Sequence, residues 1–421
     1  MLTKAPRGTK DVVPSDSYKW QHVEELFREV CEKFGYKEIR TPGFEHTELF
    51  ERGVGETTDV VQKEMYTFED RGGRSITLKA EGTAPAARLF IENKLYAEAQ
   101  PTKIFYITPV YRYERPQKGR LREHHQFGIE VYGSESPAID AEVISIVSTI
   151  YNKLGVKDIE LHINSIGCPQ CRKEYNKILK EYLSDKLDKL CKTCNSRYEK
   201  NPMRILDCKN ESCQAELEDA PLMVDYLCDD CKVHFESVKE YLNELGIDFV
   251  VDPKIVRGLD YYTKTAFEFI SKEIGAKSTV CGGGRYDGLI EEIGGPKTPA
   301  VGFGMGIERL LLTLENNGIE IEEPTGPDVF VVTIGERAEK EAFKLLYKLR
   351  NNNISADKDY LDRSIKAQFK YSNKINATYT IVIGDDEIEK DVVTLKNMKT
   401  GEQEEIKLSN IVEILKNKLG R

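Results

Sequence analysis

The sequence predicts an α+β domain, an antiparallel sheet flanked by helices, that carries a cysteine-rich, mostly helical insertion and is followed by a small α/β domain. Three observations point there. Residues 103–114 and 125–133 read as two strands joined by about ten polar residues, the pattern of an antiparallel pair with a long loop. Eight of the ten cysteines fall between Cys168 and Cys231. Beyond a linker at 318–327, rich in Pro, Gly and acid, buried-type strands alternate with helices. A length of 421 residues suits two to four domains at roughly 150 residues each.

The elements follow in order. Residues 15–34 form an amphipathic helix, with Trp20, Val23, Phe27, Val30 and Phe34 at three- and four-residue steps and Ser15 or Asp16 as cap. The extended stretch 38–42 contains Pro42, which cannot donate to a ladder and so marks an edge or interface strand. Residues 75–79 read as a strand, and 84–93 as a helix with Thr83 as its cap and Pro85 in its first turn. After the strand pair comes a helix at 138–154. Strand character returns near Lys254, in IVRGLDYYTKTAFEFI. The glycine cluster CGGGRYDGL, the strand AVGFGMGIE and a helix at 309–315 follow. In the last domain, VFVVTI, TYTIVIG and VVTLKN are strands, and 338–350 and 364–375 are helices. The expected boundaries are 1–167 and 251–322 for two parts of one sheet domain, 168–250 for the insertion, and 327–421 for the C-terminal domain.

The N-terminal twenty residues hold two prolines and several charges but no apolar core of a signal peptide. No run approaches about 18 apolar residues, so no membrane span is expected. The expected location is the cytoplasm, where cysteines serve as thiols or metal ligands rather than disulfides.

Period-2 arithmetic on 126–131 puts Gln126, Gly128 and Glu130 on one face and Phe127, Ile129 and Val131 on the other. One face is core and the other a polar platform. Arg112 and Glu114 share a face on the preceding strand and would converge with Gln126 and Glu130 if the strands pair. Residues 112–122 hold five Lys or Arg, Arg120 among them, against one acid. Arginine forks over a polar platform suit a polyphosphate; a solvated hairpin tip is the plainer reading. Arg257, between Ile-Val and Gly-Leu, is either a buried functional cation or a structural partner of Asp260. Arg309 follows a strand with Gly302, Gly304 and Gly306 at alternate positions, which clears one face for a flat ligand. GFGMG lacks the spacing of a dinucleotide fingerprint, and CGGGRYDG lacks the Gly-Lys-Ser/Thr of a P-loop.

Taken together, the helix–strand with Pro42, the arginine-bearing strand–loop–strand 103–133 and the glycine strand with Arg309 resemble the three signatures of class II aminoacyl-tRNA synthetases. RGLDYY (257–262) and GGGRYDG (282–288) resemble strings peculiar to histidyl-tRNA synthetases. The resemblance runs from GTKDVVP (8–14) into the C-terminal domain. It implies ATP-dependent ligation of L-histidine to tRNA(His), through a histidyl-adenylate, with release of pyrophosphate and AMP. It implies that Arg112 and Arg257 flank the α-phosphate as catalytic cations, and that Glu114, Arg120 and Arg309 contact ATP together with Arg112. Mg²⁺ would accompany the β,γ-phosphates. Glu81 and Thr83 match the partners of the histidine ammonium, and Gln126 matches a residue near the carboxylate. Glu130 and Tyr262 match the groups bracketing the imidazole, and Tyr286 closes the pocket. Tyr261 reads as an ordinary core aromatic. The family usually carries Phe at the position of His124, to stack on adenine. A homodimer, with the first signature at its interface, is also implied.

The inserted cysteines pair as Cys168/Cys171, Cys191/Cys194, Cys208/Cys213 and Cys228/Cys231, three of them C-x₂-C and one C-x₄-C. Such pairs suit up to two tetrahedral Cys₄ zinc sites, structural rather than catalytic; buried thiols or a redox switch are the alternatives. The resemblance implies that the insertion meets the acceptor arm and that 327–421 is an anticodon-binding domain. There, Arg363, Lys366, Lys370 and Lys374 recur on one helical face. Two rival functions remain at this point: a non-catalytic paralogue regulating histidine biosynthesis, and an interaction protein on an inactive scaffold. Retention of RGLDYY, the C-terminal domain, Arg112, Arg257 and Arg309 disfavours both. The net charge of −10 argues against bulk attraction to RNA, so tRNA choice must rest on local contacts.

Overall fold

One sheet of eight strands organises the first unit of the chain. In order they are 37–38, 102–111, 123–132, 300–306, 278–285, 263–271, 159–165 and 250–251. The two outermost pairings are parallel and the rest antiparallel. This is a computed structural model, and it describes residues 3–55, 58–208, 210–271 and 278–421. The chain divides into Met1–Ile321 and Glu322–Arg421.

The expected strand pair forms, with Ile104 opposite Glu130 and Thr108 opposite Gln126. Its first strand, Thr102–Tyr111, stops one residue short of Arg112, so Arg112 and Glu114 stand in the loop rather than on the sheet. The alternation of the second strand, Glu123–Tyr132, holds: Phe127, Ile129 and Val131 are buried in the main core. The helix Pro14–Lys33 packs there too, with Phe27 stacked on Phe127 at 4.2 Å. Each such fully buried aromatic contributes about 1.5–3 kcal/mol. Neither Ser15 nor Asp16 caps this helix; Val13 precedes it without a side-chain cap. Pro14 at the first position has no N–H to satisfy, which lessens the need for one.

Further departures have local causes. Thr83 is the first residue of the helix Thr83–Glu92, not its cap. Glu81 serves instead, accepting the Thr83 and Ala84 amides at 2.8 and 2.7 Å. Residues 254–262 are irregular and the strand begins only at Thr263. The strand Ile159–Ser165 was not foreseen, although Leu161 and Ile163 alternate into the core.

The insertion is helical, and its helices Pro169–Ser184, Lys192–Lys200 and Glu211–Glu216 share one apolar cluster with Tyr106, Tyr132 and Tyr286 of the sheet domain. The helix Asp229–Glu244 returns to the main core through Phe235, Val238 and Leu242. In the second unit, five strands run in the order 356–358, 329–333, 379–383, 392–397, 403–407, the first three parallel. Lys366, Lys370 and Lys374 are exposed on the helix Ile365–Lys374. Arg363 lies before that helix, pairs with Asp359 and covers the Tyr371 ring, so it is not part of the lysine stripe.

Candidate active site

A cavity of about 780 Å³ opens over the polar face of the large sheet. Glu81, Thr83, Gln126 and Tyr262 line it, as do Arg112, Glu114, Arg120, Arg257 and Arg309. Residues from positions 81 to 309 thus meet in one place because four antiparallel strands bring their polar faces side by side. Glu130 and Tyr286 do not line the cavity in this structure; they lie beneath it, fully buried.

That buried layer is a carboxylate held by hydroxyls. Glu130 accepts Thr83 Oγ1 at 2.8 Å and Tyr106 OH at 2.9 Å on one oxygen, and Tyr286 OH on the other. Burial pushes Glu130 up to about 8, against the pull of those three hydroxyls. Tyr106 was not anticipated. Its ring fills the space a Cβ would need at both Gly82 and Gly128. The alternating glycines have a related purpose: across the ladder Gly302 pairs with Glu130, Gly304 with Gly128 and Gly306 with Gln126. A Cβ at Gly302 would strike the Glu130 carboxylate, and one at Gly304 the Gln126 amide. The cleared face therefore admits the neighbouring strand's polar side chains, and only Gly304 and Gly306 also line the cavity.

Glu81 is buried, and burial raises it above the ordinary carboxylate range, against its amide bonds and the Arg112 charge. Each of its oxygens keeps a lone pair beyond the amide it accepts. The Gly82 amide donates to Gln126 Oε1 at 3.0 Å, leaving the Gln126 NH₂ group toward the cavity. Tyr261 lines the cavity as well, its ring 4.7 Å from Tyr262 and 5.4 Å from Tyr286, so it is more than core filling.

The other end is cationic. Arg112 Nε donates to the Ala80 carbonyl at 2.8 Å, and Arg309 to the carbonyls of Gly119 (3.0 Å) and Thr279. Arg120 meets Glu114 at 3.1 Å. Arg257 pairs with Glu268, not with Asp260, and its guanidinium occupies the space above Gly282. Glu268 also accepts Thr279 Oγ1 at 2.6 Å. Its alternation with Phe267 and Phe269 was the available signal for a carboxylate on the polar face. Burial and the charges of Arg112 and Arg309 lower His124 to about 3, so its ring is neutral at physiological pH. Arg122 is committed elsewhere, over the Tyr113 ring and against Gly8. An aromatic-walled pocket with buried carboxylates at one end and four arginines at the other can hold a small cationic amine beside a polyphosphate.

The wall facing the sheet comes partly from the insertion, through Leu206, Asp207, Cys208 and Gln214. Of these four the sequence patterning marks only Cys208, and as a candidate metal ligand rather than a cavity wall. The eight inserted cysteines gather into two groups, Cys168, Cys171, Cys228 and Cys231, and Cys191, Cys194, Cys208 and Cys213, each with its sulfurs within 4.8 Å of one another.

The sequence model of the family described as histidyl-tRNA synthetase matches residues 8–310, and that described as anticodon binding domain matches 328–418. A histidine–tRNA ligase of Caldanaerobacter subterraneus subsp. tengcongensis is 66% identical over 99% of this chain and all of its own. One from Clostridioides difficile is 64% identical over the whole of both. The crystal structure of the apo histidyl-tRNA synthetase of S. aureus superposes with a TM-score of 0.85 at 45% identity, covering 99% of this chain and 100% of that one.

Proposed function

This chain belongs to the histidyl-tRNA synthetase family, and from that premise we infer its reaction. It ligates L-histidine to its cognate tRNA at the expense of ATP, through a histidyl-adenylate, releasing pyrophosphate and then AMP. The observation that carries this reading is the single cavity with Glu81 and Gln126 at one end and Arg112, Arg120, Arg257 and Arg309 at the other. The regulatory-paralogue alternative is not favoured, since the full-length relatives at 64–66% identity are ligases.

We assign the roles as follows. Glu81 and Thr83 take the α-ammonium and Gln126 the carboxylate. Glu130 and Tyr262 bracket the imidazole, whose neutral ring has one donor and one acceptor to satisfy. Tyr286 holds Glu130 and closes the pocket from below. Arg112 and Arg257 stabilise the charge that grows on the α-phosphate during in-line attack by the histidine carboxylate. Glu114, Arg120 and Arg309 place the nucleotide, and neutral His124 offers its ring to the adenine. Glu64, which burial and then the nearby Glu114 charge raise above the ordinary carboxylate range, and Glu114 both line the cavity and would be the carboxylates suited to Mg²⁺, which would supply neutralising charge to the β,γ-phosphates. A polar pocket that must satisfy both ring nitrogens rejects isosteres lacking them.

The partners are tRNA, histidine, ATP and a second copy of the chain. The exposed Phe44 and Phe68, both on the three-stranded sheet 44–46, 67–69 and 75–78, suit a face that a second copy covers. No helix among the described residues is long and apolar enough to cross a membrane; we place the enzyme in the cytoplasm. Zn²⁺ held by the inserted cysteines is structural. Histidine-dependent ATP–pyrophosphate exchange tests the whole reading, and its absence in folded protein refutes it.

A further inference from the structure

One of the two cysteine groups joins pairs that are not neighbours in sequence. The first C-x₂-C pair joins the fourth, and the second joins the C-x₄-C pair, so one group is nested inside the other. Cys168 Sγ lies 3.5 Å from Cys171 Sγ, and Cys191 Sγ 3.9 Å from Cys208 Sγ. Those separations exceed a disulfide bond of about 2.05 Å. They bracket the edge of about 3.8 Å of a tetrahedron with Zn–S bonds of about 2.3 Å. The Cys228 amide donates to Cys171 Sγ at 3.1 Å and the Cys191 amide to Cys213 Sγ at 3.2 Å, bonds that stabilise thiolate ligands. Cys168, Cys191 and Cys228 each stand at the cap of a helix, where the dipole favours negative sulfur.

The two groups occupy different places. The outer one closes the insertion where it leaves and rejoins the large sheet. The inner one sits behind the active site. Cys208 itself lines the cavity, between Leu206 and Gln214, and Gln214 Nε2 donates to the Cys208 carbonyl. The helix carrying Cys194 is fixed from the other side by Arg197, which with Arg204 pairs with Asp59 at 3.3 and 3.7 Å. Asp59 adjoins the turn Val60–Glu64, and Val60 and Glu64 line the same cavity.

Resting on the structural-zinc reading above, we propose that the insertion holds two nested Zn²⁺ centres and that the inner one is a support of the active-site wall. Cys168, Cys171, Cys228 and Cys231 bind one ion; Cys191, Cys194, Cys208 and Cys213 bind the other. Each centre forms as four thiols lose their protons to solvent. Loss of the inner ion frees Leu206, Asp207, Cys208 and Gln214 and loosens the cavity, so its effect is read in substrate KM as well as in stability.

Metal analysis of the purified enzyme tests the nesting. Wild type should carry two zinc ions per chain. C194S/C213S should keep one, and C171S/C194S should keep none. If instead neighbouring pairs shared a site, the first variant would lose both ions and the second only one, which would overturn the nesting. Less than one zinc in wild type removes the zinc reading and this proposal together; a single zinc removes the second centre alone. For the wall, folded C194S/C213S should raise the KM for ATP or histidine in pyrophosphate exchange at least fivefold. Should that variant fail to fold, Gln214→Ala keeps all eight thiols: it should retain two zinc ions and still raise one of those KM values. Unchanged KM values with the expected zinc content would overturn the wall's dependence on the inner centre and leave structural zinc standing.

Discussion

The two ends of the cavity are built on opposite plans. At the end proposed for histidine, Glu130 is wholly buried and already holds three hydroxyls, and Glu81 is locked by two main-chain amides. The pocket is assembled before any ligand arrives. At the end proposed for the phosphates, Arg112 and Arg309 rest on main-chain carbonyls and Arg120 on a single carboxylate. Those are neutral or shared acceptors that phosphate oxygens can replace with stronger, charge-assisted bonds. On the roles proposed above, selectivity comes from the pre-formed end and rate from the end whose cations face the developing charge.

The contrast can be broken most sharply at Arg257. Arg257→Ala should lower pyrophosphate exchange about 10³-fold, or ~4 kcal/mol, with histidine affinity nearly kept. Equal loss of both, measured by exchange kinetics and calorimetry, would merge the two ends. Glu130→Gln should act the other way, reducing kcat/KM for histidine about 10²-fold with little change in the KM for ATP. The same variant carries a pH signature. Glu130 lies at about 8 in the folded chain against an ordinary value of 4.5. Between those values the folded chain holds a proton the unfolded chain has released, so this group's contribution to stability falls as pH rises through the window. Glu130→Gln should flatten that part of the ligand-free Tm profile; parallel profiles would contradict the burial argument.

Smaller effects sharpen the comparison. The atoms nearest a Cβ at Gly304 all belong to the Gln126 side chain, which can swing aside. Gly304→Ala should therefore fold and raise the histidine KM about tenfold. Gly302→Ala also meets the Ile129 carbonyl, which cannot move freely, and should cost stability by about 1–3 kcal/mol in denaturant titration. His124→Phe exchanges one flat neutral ring for another and should shift the ATP KM by less than about threefold; a larger shift would show that the ring nitrogens bind nucleotide.

Much of the site was legible because strand alternation is strict. Gln126 and Glu130 fell on one face by arithmetic, and pairing delivered them to that face. The spacing of Gly302 and Gly304 was equally legible, but not its purpose, since the side chains they admit belong to a strand about 170 residues earlier in the chain. The cap of the helix Thr83–Glu92 was misread for a similar reason: Glu81 reaches forward from outside the usual cap position, which frees the Thr83 hydroxyl for Glu130. Arg257 reads from the sequence as either a buried functional cation or a partner of Asp260, whereas the fold sets it against Glu268.

The net charge, the strand–loop–strand with its arginines, the cysteine spacing and the family strings are properties of the chain read locally, and sequence alone determined them. The partners were decided by the tertiary structure. Which carboxylate meets Arg257, that Tyr106 needs two glycines, which cysteine pairs meet, and that a segment of the insertion walls the cavity all depend on segments far apart in the chain. Local periodicity fixes which face a side chain takes; only the order of strands in the sheet and the path of the insertion fix what stands opposite it.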